Sequence, residues 1–249
     1  MPEVIFAGPA GRIEGRYVEP KRENAPIALI LHGHPRANGS MKDRVTVLQS
    51  MIFERFGFAV LRFNFRGIGR SQGVFDNGIG ELSDAASALD YLQSINPNAE
   101  QCWVAGYSFG AWIGLQLLMR RPEIDGFIAV SPPANHYDLS FLAPCPASGL
   151  VVYGTRDSVA PANDVERAVQ KIRTQKNIKV DSAAVEGADH FFRDSVDRSQ
   201  DHLKPLEDRI VSYLVKRLGG AQTEPAAPPA SGRARSGRNA SLRTAPPEA

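Results

Sequence analysis

Residues 101–119 read QCWVAGYSFGAWIGLQLLM, and this stretch decides the fold that we expect for the rest of the chain. A short apolar run stops at the pentapeptide GYSFG, and apolar residues at helical spacing follow at once. The pattern predicts a strand, a very tight turn and a helix, with the hydroxyl of Ser108 at the turn. Gly106 and Gly110 leave the room that so sharp a turn needs on either side. A serine in strained backbone at a helix N-terminus, where negative charge is favoured, is well placed to act as a nucleophile.

Residues 69–73, GRSQG, match the same Gly-x-Ser-x-Gly pattern, so the pattern alone does not single out one serine. The stretch that follows them contains glycine and asparagine and shows no helical periodicity. Because the turn that carries a nucleophile leads directly into a helix, the context favours Ser108 over Ser71 as the catalytic residue. A purely structural turn at Ser108 is the alternative.

Length and composition predict one domain with a large core, since 43% of the 249 residues are hydrophobic. No apolar run approaches the ~18 residues that a membrane span needs, and the N-terminus has no basic segment typical of a signal peptide. The two cysteines fit neither a metal-ligand spacing nor a disulfide framework, which agrees with a reducing compartment. We therefore expect a cytoplasmic protein that does not bind membranes.

The last thirty residues differ from the rest in composition. They are rich in Pro, Ala, Ser, Gly and Arg and contain a single large aliphatic residue, Leu242. Such a segment cannot offset an ordering entropy of ~1–2 kcal/mol per residue, so we expect a domain over 1–219 and a disordered tail over 220–249. Residues 1–220 carry 25 basic and 25 acidic residues, and this neutral balance argues against a nucleic-acid partner.

The rest of the chain alternates short apolar runs with stretches of helical periodicity. This alternation predicts an α/β fold, a doubly wound and mostly parallel sheet whose functional loops gather at the carboxyl ends of the strands. The connection 131–148 is too short for an inserted cap domain, so the site should open to solvent. A hairpin is predicted over 3–7 and 12–18, later strands over 26–31, 58–63, 102–105, 126–130, 149–153 and 178–185, a Gly-rich loop over 64–80, and helices starting near 45, 82, 109, 165 and 206.

A serine hydroxyl becomes a nucleophile when a base takes its proton, which requires a histidine oriented by a carboxylate. His190 lies just past the last predicted strand, and Gly187 allows that loop to turn inward, so His190 is the predicted base. Asp157 follows the preceding strand and is the predicted carboxylate. Helix capping explains Asp164, and Asp189 is badly placed to accept a proton from the histidine next to it.

Two backbone donors are expected to hold the oxyanion of the reaction. One is the N–H of Phe109, directly after the serine. The other should come from the turn HGHP, residues 32–35, where Pro35 has no N–H and His34 is favoured through its backbone. Metal binding by His32 and His34 is an alternative that lacks a nearby third ligand, so we predict no metal and no cofactor.

The order Ser108, Asp157, His190, together with the turns GYSFG and HGHP, resembles the α/β-hydrolase superfamily. More narrowly, about residues 3–219 look like its small bacterial serine hydrolases without a lid. The resemblance implies an eight-stranded, mostly parallel sheet and a Ser-His-Asp triad. The loop NFRGIGRSQG is similar to the Arg-Gly-rich loop that many such hydrolases carry, which makes Ser71 structural. A serine at the turn separates this chain from relatives that use Asp, the dehalogenases, or Cys, the dienelactone hydrolases.

From these features we expect a serine hydrolase that cleaves small carboxylic esters through an acyl-enzyme. Its partner would be a small-molecule acyl substrate, contacted by Tyr107, His136 and Phe191. A thioesterase or a small peptidase with the same triad is the nearest alternative. A non-catalytic binding module that keeps the scaffold is the alternative from a different class.

Overall fold

A computed structural model describes residues 2–173, 179–194, 197 and 199–219. Within these ranges, no helix combines the length and the apolar character needed to cross a bilayer. The expected tail, 220–249, lies outside the described residues, so its disorder and the domain boundary at 219 stay predictions.

One eight-stranded sheet runs through the described part of the chain. Its order is β1-β2-β4-β3-β5-β6-β7-β8, in which β2 pairs antiparallel with β1 and β4, and all other pairings are parallel. The predicted α/β class and mostly parallel eight-stranded sheet are thus confirmed. The strands are β1 (Glu3–Gly8), β2 (Gly11–Val18), β3 (Ile27–Leu31), β4 (Ala59–Phe63), β5 (Cys102–Tyr107), β6 (Gly126–Val130), β7 (Ser148–Gly154) and β8 (Val180–Val185).

Helices cover both faces of the sheet, and each face has its own apolar core. Along β3, Leu29 and Leu31 pack into the core under α2, α3 and α4, while Ala28 and Ile30 pack into the core under α1 and α5. This double burial explains why the central strands β3, β5 and β6 read as nearly unbroken apolar runs. The helices are α1 (Arg44–Arg55), α2 (Ile79–Ser94), α3 (Phe109–Leu118), α4 (Ala162–Arg173) and α5 (Leu203–Leu218).

Several element boundaries differ from the sequence prediction by one to three residues, and two of these differences have a clear structural reason or bear on the site. Helix α2 already begins at Ile79, inside the stretch predicted as a Gly-rich loop, because the buried carboxylate of Glu81 accepts the backbone N–H groups of Asp76 and Gly78. Strand β5 continues to Tyr107, two residues beyond the predicted run, so it carries the chain up to the serine.

The connection between β6 and β7 contains one short 3₁₀ helix, Ser140–Leu142, and no inserted domain. The carboxyl ends of the central strands are therefore not covered by a cap. This agrees with the predicted open site.

Candidate active site

Ser108 sits between β5 and α3 in a backbone conformation that few non-glycine residues adopt, with φ 54° and ψ −118°. Its N–H donates to the carbonyl of Val130 at 2.8 Å, which fixes the turn against β6. A Cβ at Gly106 would lie 2.4 Å from the carbonyl oxygen of Gly110, and a Cβ at Gly110 would lie 2.4 Å from that of His32. Both glycines are thus required by close backbone contacts, and the turn projects the serine hydroxyl.

The structure brings together the three side chains predicted from the sequence. The Oγ of Ser108 lies 2.9 Å from Nε2 of His190, and Nδ1 of His190 lies 2.8 Å from Oδ2 of Asp157. The other oxygen of Asp157 accepts the N–H groups of Val159 and Ala160 at 2.9 and 2.8 Å. Because a carboxylate accepts, the proton on Nδ1 leaves Nε2 free to accept the proton of the serine.

The loops that carry Asp157 and His190 are tied to each other and to β5. Thr155 Oγ1 accepts the N–H of Gly187 at 2.9 Å, and the N–H of Arg156 donates to the carbonyl of Ala188 at 3.0 Å. The hydroxyl of Tyr107, next to the serine, donates to the carbonyl of His190 at 2.9 Å. These bonds hold His190 within hydrogen-bond distance of both Ser108 and Asp157.

The loop after β3 carries the second expected oxyanion donor and is closed by the carboxylate of Asp43. Oδ2 of Asp43 accepts the N–H of Gly33 at 3.2 Å, and Oδ1 accepts the N–H of Ser40 at 3.1 Å. The rings of His34 and Phe109 lie 4.9 Å apart, so the loop packs beside the start of α3. Among the described residues, no acceptor is found for the N–H of His34 or of Phe109.

His32 is fully buried, and both of its ring nitrogens bond to the backbone. Nδ1 donates to the carbonyl of Gly33 at 2.7 Å, and Nε2 accepts the N–H of Phe65 at 3.0 Å. Burial lowers the pKa of His32 to about 3, so the ring is neutral. His34 Nδ1 accepts the N–H of Arg36. These contacts account for the histidines without a metal, and no group of three potential metal ligands occurs in the described ranges.

Ser71, the serine of the second Gly-x-Ser-x-Gly match, has a structural role. Ser71 is buried, and its hydroxyl donates to the carbonyl of Asn64 at 2.6 Å while it accepts the N–H of Glu14 at 3.0 Å. It therefore joins the Arg-Gly-rich loop to the sheet, and among the described residues it has no histidine partner.

A pocket of about 800 Å³ opens at the serine. This volume falls within the range of small-molecule sites. One wall is the segment between β3 and α1, and the others come from the loops that follow β5, β6, β7 and β8. The lining residues that matter below are the apolar group Tyr107, Phe109, Pro133, Tyr137, Val159 and Phe191 and the charged group Lys42, Asp43, Arg44 and Arg193.

The three predicted substrate contacts all line this pocket, in different ways. His136 is exposed, and Phe191 is 56% exposed with its ring edge-on to that of His190. Tyr107 is buried, and its hydroxyl proton is already donated to the carbonyl of His190, so this hydroxyl is not available as a donor to a substrate. Tyr137, also on the wall, stacks on Trp112 with 3.9 Å between ring centroids.

Sequence reasoning missed the wall formed by Lys42, Asp43 and Arg44 and the cation Arg193. The residues from 36 to 44 are polar and irregular, and they carry no motif that separates them from an ordinary surface loop. Their position becomes visible only once β3 and α1 are placed in the fold.

The sequence matches the family described as "Serine aminopeptidase, S33" over residues 24–148. It is 49% identical to an uncharacterised protein of Rickettsia prowazekii, over 85% of this chain and 90% of that protein. The relative carries no stated activity.

The solved structures that share the fold include the following two. A protein of unknown function from Agrobacterium tumefaciens is 55% identical, with a TM-score of 0.83 over 88% of this chain and 98% of that one. An α/β serine hydrolase without a lid from Xanthomonas campestris is 25% identical, with a TM-score of 0.74 over 89% of this chain and 96% of that one. With the fold, the family match and these relatives in agreement, the chain belongs to the α/β-hydrolase family, among its small serine hydrolases without a lid.

Proposed function

We propose that this protein hydrolyses small carboxylic esters through an acyl-enzyme on Ser108. The observation that carries the proposal is the continuous hydrogen-bond path from the Ser108 hydroxyl through His190 to the buried carboxylate of Asp157. Each bond in this path is shorter than 3.0 Å, which is within reach for proton transfer.

In the first half of the reaction, Nε2 of His190 takes the proton of Ser108 as its oxygen bonds to the ester carbonyl carbon. Asp157 holds the proton on Nδ1 and stabilises the imidazolium that forms. The carbonyl oxygen becomes an oxyanion, which the N–H groups of Phe109 and His34 would stabilise. A single donor of this kind is worth roughly 2.7–4 kcal/mol of barrier.

The tetrahedral intermediate then breaks its bond to the leaving oxygen. The imidazolium of His190 donates its proton to that oxygen, and the alcohol departs from the acyl-enzyme. A water molecule next loses a proton to His190 and attacks the acyl carbon, and the reverse sequence releases the acid and restores Ser108. No step in this scheme needs a cofactor.

The shape of the pocket supports a small substrate. Aromatic and aliphatic side chains form much of its wall, and the short β6–β7 connection leaves it open. An acyl group of a few carbons can reach Ser108 without displacing a lid.

An aminopeptidase with the same triad is the competing function, because the matched family carries that description. Such an enzyme must hold the substrate's α-ammonium group, which calls for a free carboxylate near the serine. Asp43 is the only carboxylate among the described residues that line the pocket, and its two oxygens already accept backbone N–H groups. The same wall carries three cations. This charge balance favours esters over peptides with a free N-terminus. A thioesterase shares the same chemistry and is separated by rates on acyl-CoA substrates.

A cytoplasmic location is part of the proposal. Both cysteines, Cys102 and Cys145, are free and buried, as expected for a protein that works in a reducing compartment.

Replacing the nucleophile tests the proposal. We expect Ser108→Ala to lower kcat on p-nitrophenyl acetate by ~10⁶, as loss of a triad serine does elsewhere. A fluorophosphonate probe should label the wild-type protein and fail to label this variant. The matched control is Ser71→Ala, which removes the other serine of the same pattern and should keep labelling when circular dichroism shows that it is folded.

Three outcomes would contradict the proposal. Retained turnover by a clean Ser108→Ala preparation would exclude this serine as the nucleophile. A folded wild-type protein that neither reacts with the probe nor turns over any ester would instead be a binding module on the same scaffold. Rates on aminoacyl p-nitroanilides above those on matched esters would favour the peptidase.

A further inference from the structure

The charges on the pocket wall are unequal. Three of the charged lining residues are cations, Lys42, Arg44 and Arg193, and one is a carboxylate, Asp43. This excess of positive charge does not attract a neutral ester, whereas it would attract a substrate that carries a negatively charged group.

The cations come from two segments that meet beside the serine. Arg44 is the first residue of α1 and Lys42 lies two residues before it, while Arg193 lies in the loop after His190. An ion pair of 2.6 Å joins Arg44 to Asp201, and Asp201 forms an antiparallel bridge with Arg193. Residues opposite each other in such a bridge point to the same side, so Arg193 and Arg44 are neighbours.

The acidic groups in this region are already engaged. Asp43 accepts two backbone N–H groups and Asp201 pairs with Arg44, while Asp189 accepts the N–H groups of Phe191 and Arg193. Within the described ranges, the ammonium of Lys42 and the guanidinium of Arg193 have no ion-pair partner. Two cations on the wall are therefore available to a ligand.

We propose that the physiological substrate is an anionic ester, one that carries a carboxylate or a phosphate within reach of Lys42 and Arg193. This inference rests on the proposed ester hydrolysis and narrows its substrate class. The anion occupies the end of the pocket between the start of α1 and the His190 loop, while the ester carbonyl lies at Ser108. Arginine binds both anions through paired N–H donors, and lysine does so as a point charge.

Matched substrates test the inference. The anionic ones are meta-acetoxybenzoate and meta-acetoxyphenyl phosphate, and the neutral one is meta-acetoxybenzamide, which has nearly the shape of the benzoate. The kcat/KM for each ester is divided by the rate constant for hydrolysis of the same ester by hydroxide, which removes differences in intrinsic reactivity between the esters. For the wild-type protein, we expect the normalised kcat/KM of an anionic ester to be higher than that of the neutral ester. The expected ratio of the two values is roughly five for each cation that the anion contacts, because a partly exposed ion pair provides up to about 1 kcal/mol. Added salt should lower this ratio.

The double variant Lys42→Ala/Arg193→Ala should bring the ratio down to about one, mainly through KM. Its control is Lys21→Ala/Lys179→Ala, which removes two exposed cations near the opposite edge of the sheet and should keep the wild-type ratio. The phosphate and carboxylate arms identify which anion is preferred.

A wild-type ratio of one or less, or an equal ratio in both double variants, would overturn the inference. If the neutral ester is still cleaved in a Ser108-dependent manner, ester hydrolysis stands and only the anionic substrate is excluded. If no ester is cleaved, the proposed function and this inference fail together.

Discussion

His32 contributes to the site without touching the pocket. Its buried ring donates to the carbonyl of Gly33 and accepts from the N–H of Phe65, so it joins the loop after β3 to the loop after β4. Both bonds need the neutral imidazole with its proton on Nδ1. Protonation of Nε2 would set two N–H groups against each other inside the core.

A pH dependence of stability follows from this burial. The pKa of His32 is about 3 in the folded chain, below the ordinary value of about 6.5, so the unfolded chain binds the additional proton between these values. The stability that the neutral ring provides is complete above about pH 6.5 and is lost as the pH falls toward 3. We expect urea unfolding to show a loss on the order of 2 kcal/mol between about pH 7 and about pH 5 from this residue.

The variant His32→Gln removes the titrating group and should have a flatter dependence on pH, although its stability at neutral pH will be lower. His136→Gln changes an exposed histidine and should retain the wild-type slope. Equal slopes for the wild-type protein and His32→Gln would show that other groups cause the acid sensitivity.

Asp43 is predicted to position the loop after β3, which carries the proposed oxyanion donor His34. It accepts the N–H groups of Gly33 and Ser40, the residues on either side of the loop that carries His34. Without the carboxylate the loop is free to move, and we expect Asp43→Ala to lower kcat about 10–100-fold, less than the loss of one donor can cost, with little change in KM. Asp43→Asn keeps one accepting oxygen and should restore part of kcat. A rise in KM alone would show that Asp43 binds substrate and does not position the loop.

At the scale of elements, the close approach of α3 to β3 explains the turn at the serine. A Cβ at Gly110 would lie 2.4 and 2.5 Å from the carbonyl oxygens of His32 and Leu31, and backbone atoms at the end of a buried strand cannot move aside. One turn further along α3, a Cβ at Gly114 would meet side chains at 3.2 Å and 3.4 Å.

These distances predict opposite outcomes for two alanine variants of the same helix. We expect Gly110→Ala to destabilise the fold by about 1–3 kcal/mol or more and to reduce kcat, since the serine turn must shift. Gly114→Ala should be nearly neutral, because the better helix propensity of alanine offsets a small adjustment of its neighbours. Thermal unfolding of both variants checks this, and equal losses of stability would contradict the argument.

Local sequence was sufficient for the elements that bury apolar runs or turn at glycine. The strand-turn-helix around Ser108 and the placement of Asp157 and His190 at strand ends were predicted from three signals. These are the hydrophobic periodicity, the length of each apolar run and the positions of glycine and proline. The start of α2 was missed because the carboxylate of Glu81 overrides the poor helix propensity of Gly80, and this depends on a specific hydrogen bond. The wall at Lys42 was missed because its position follows from packing and not from the pattern of its own segment.

For the molecule as a whole, the absence of an inserted domain between β6 and β7 predicts simple kinetics. Lipases with a lid need an interface to open it, whereas the pocket described here is already open. We expect the rate on p-nitrophenyl butyrate to follow a hyperbola through the solubility limit, with no increase on adding detergent micelles. A sharp rise in rate at that limit would indicate a covering element.

The topology of the molecule was also accessible from the sequence. Alternating strands and helices lead to a parallel sheet with two covered faces, and the alternation along β3 fits that arrangement. The substrate class could not be predicted from the sequence in the same way, because the pocket wall comes from segments that are far apart in the chain. Arg193 and Lys42 line the same pocket as Ser108 only because the ends of β3, β5 and β8 lie at one edge of the sheet.

The pairing of Trp112 with Tyr137 gives the protein a built-in optical signal. Of its two tryptophans, Trp103 is buried beneath α1 and α5, while Trp112 stacks on a side chain of the pocket wall. Emission from Trp112 should therefore change when an acyl group occupies the pocket, with Trp103 as a constant background. Stopped-flow fluorescence could then follow acylation and deacylation on unlabelled natural substrates that release no coloured product.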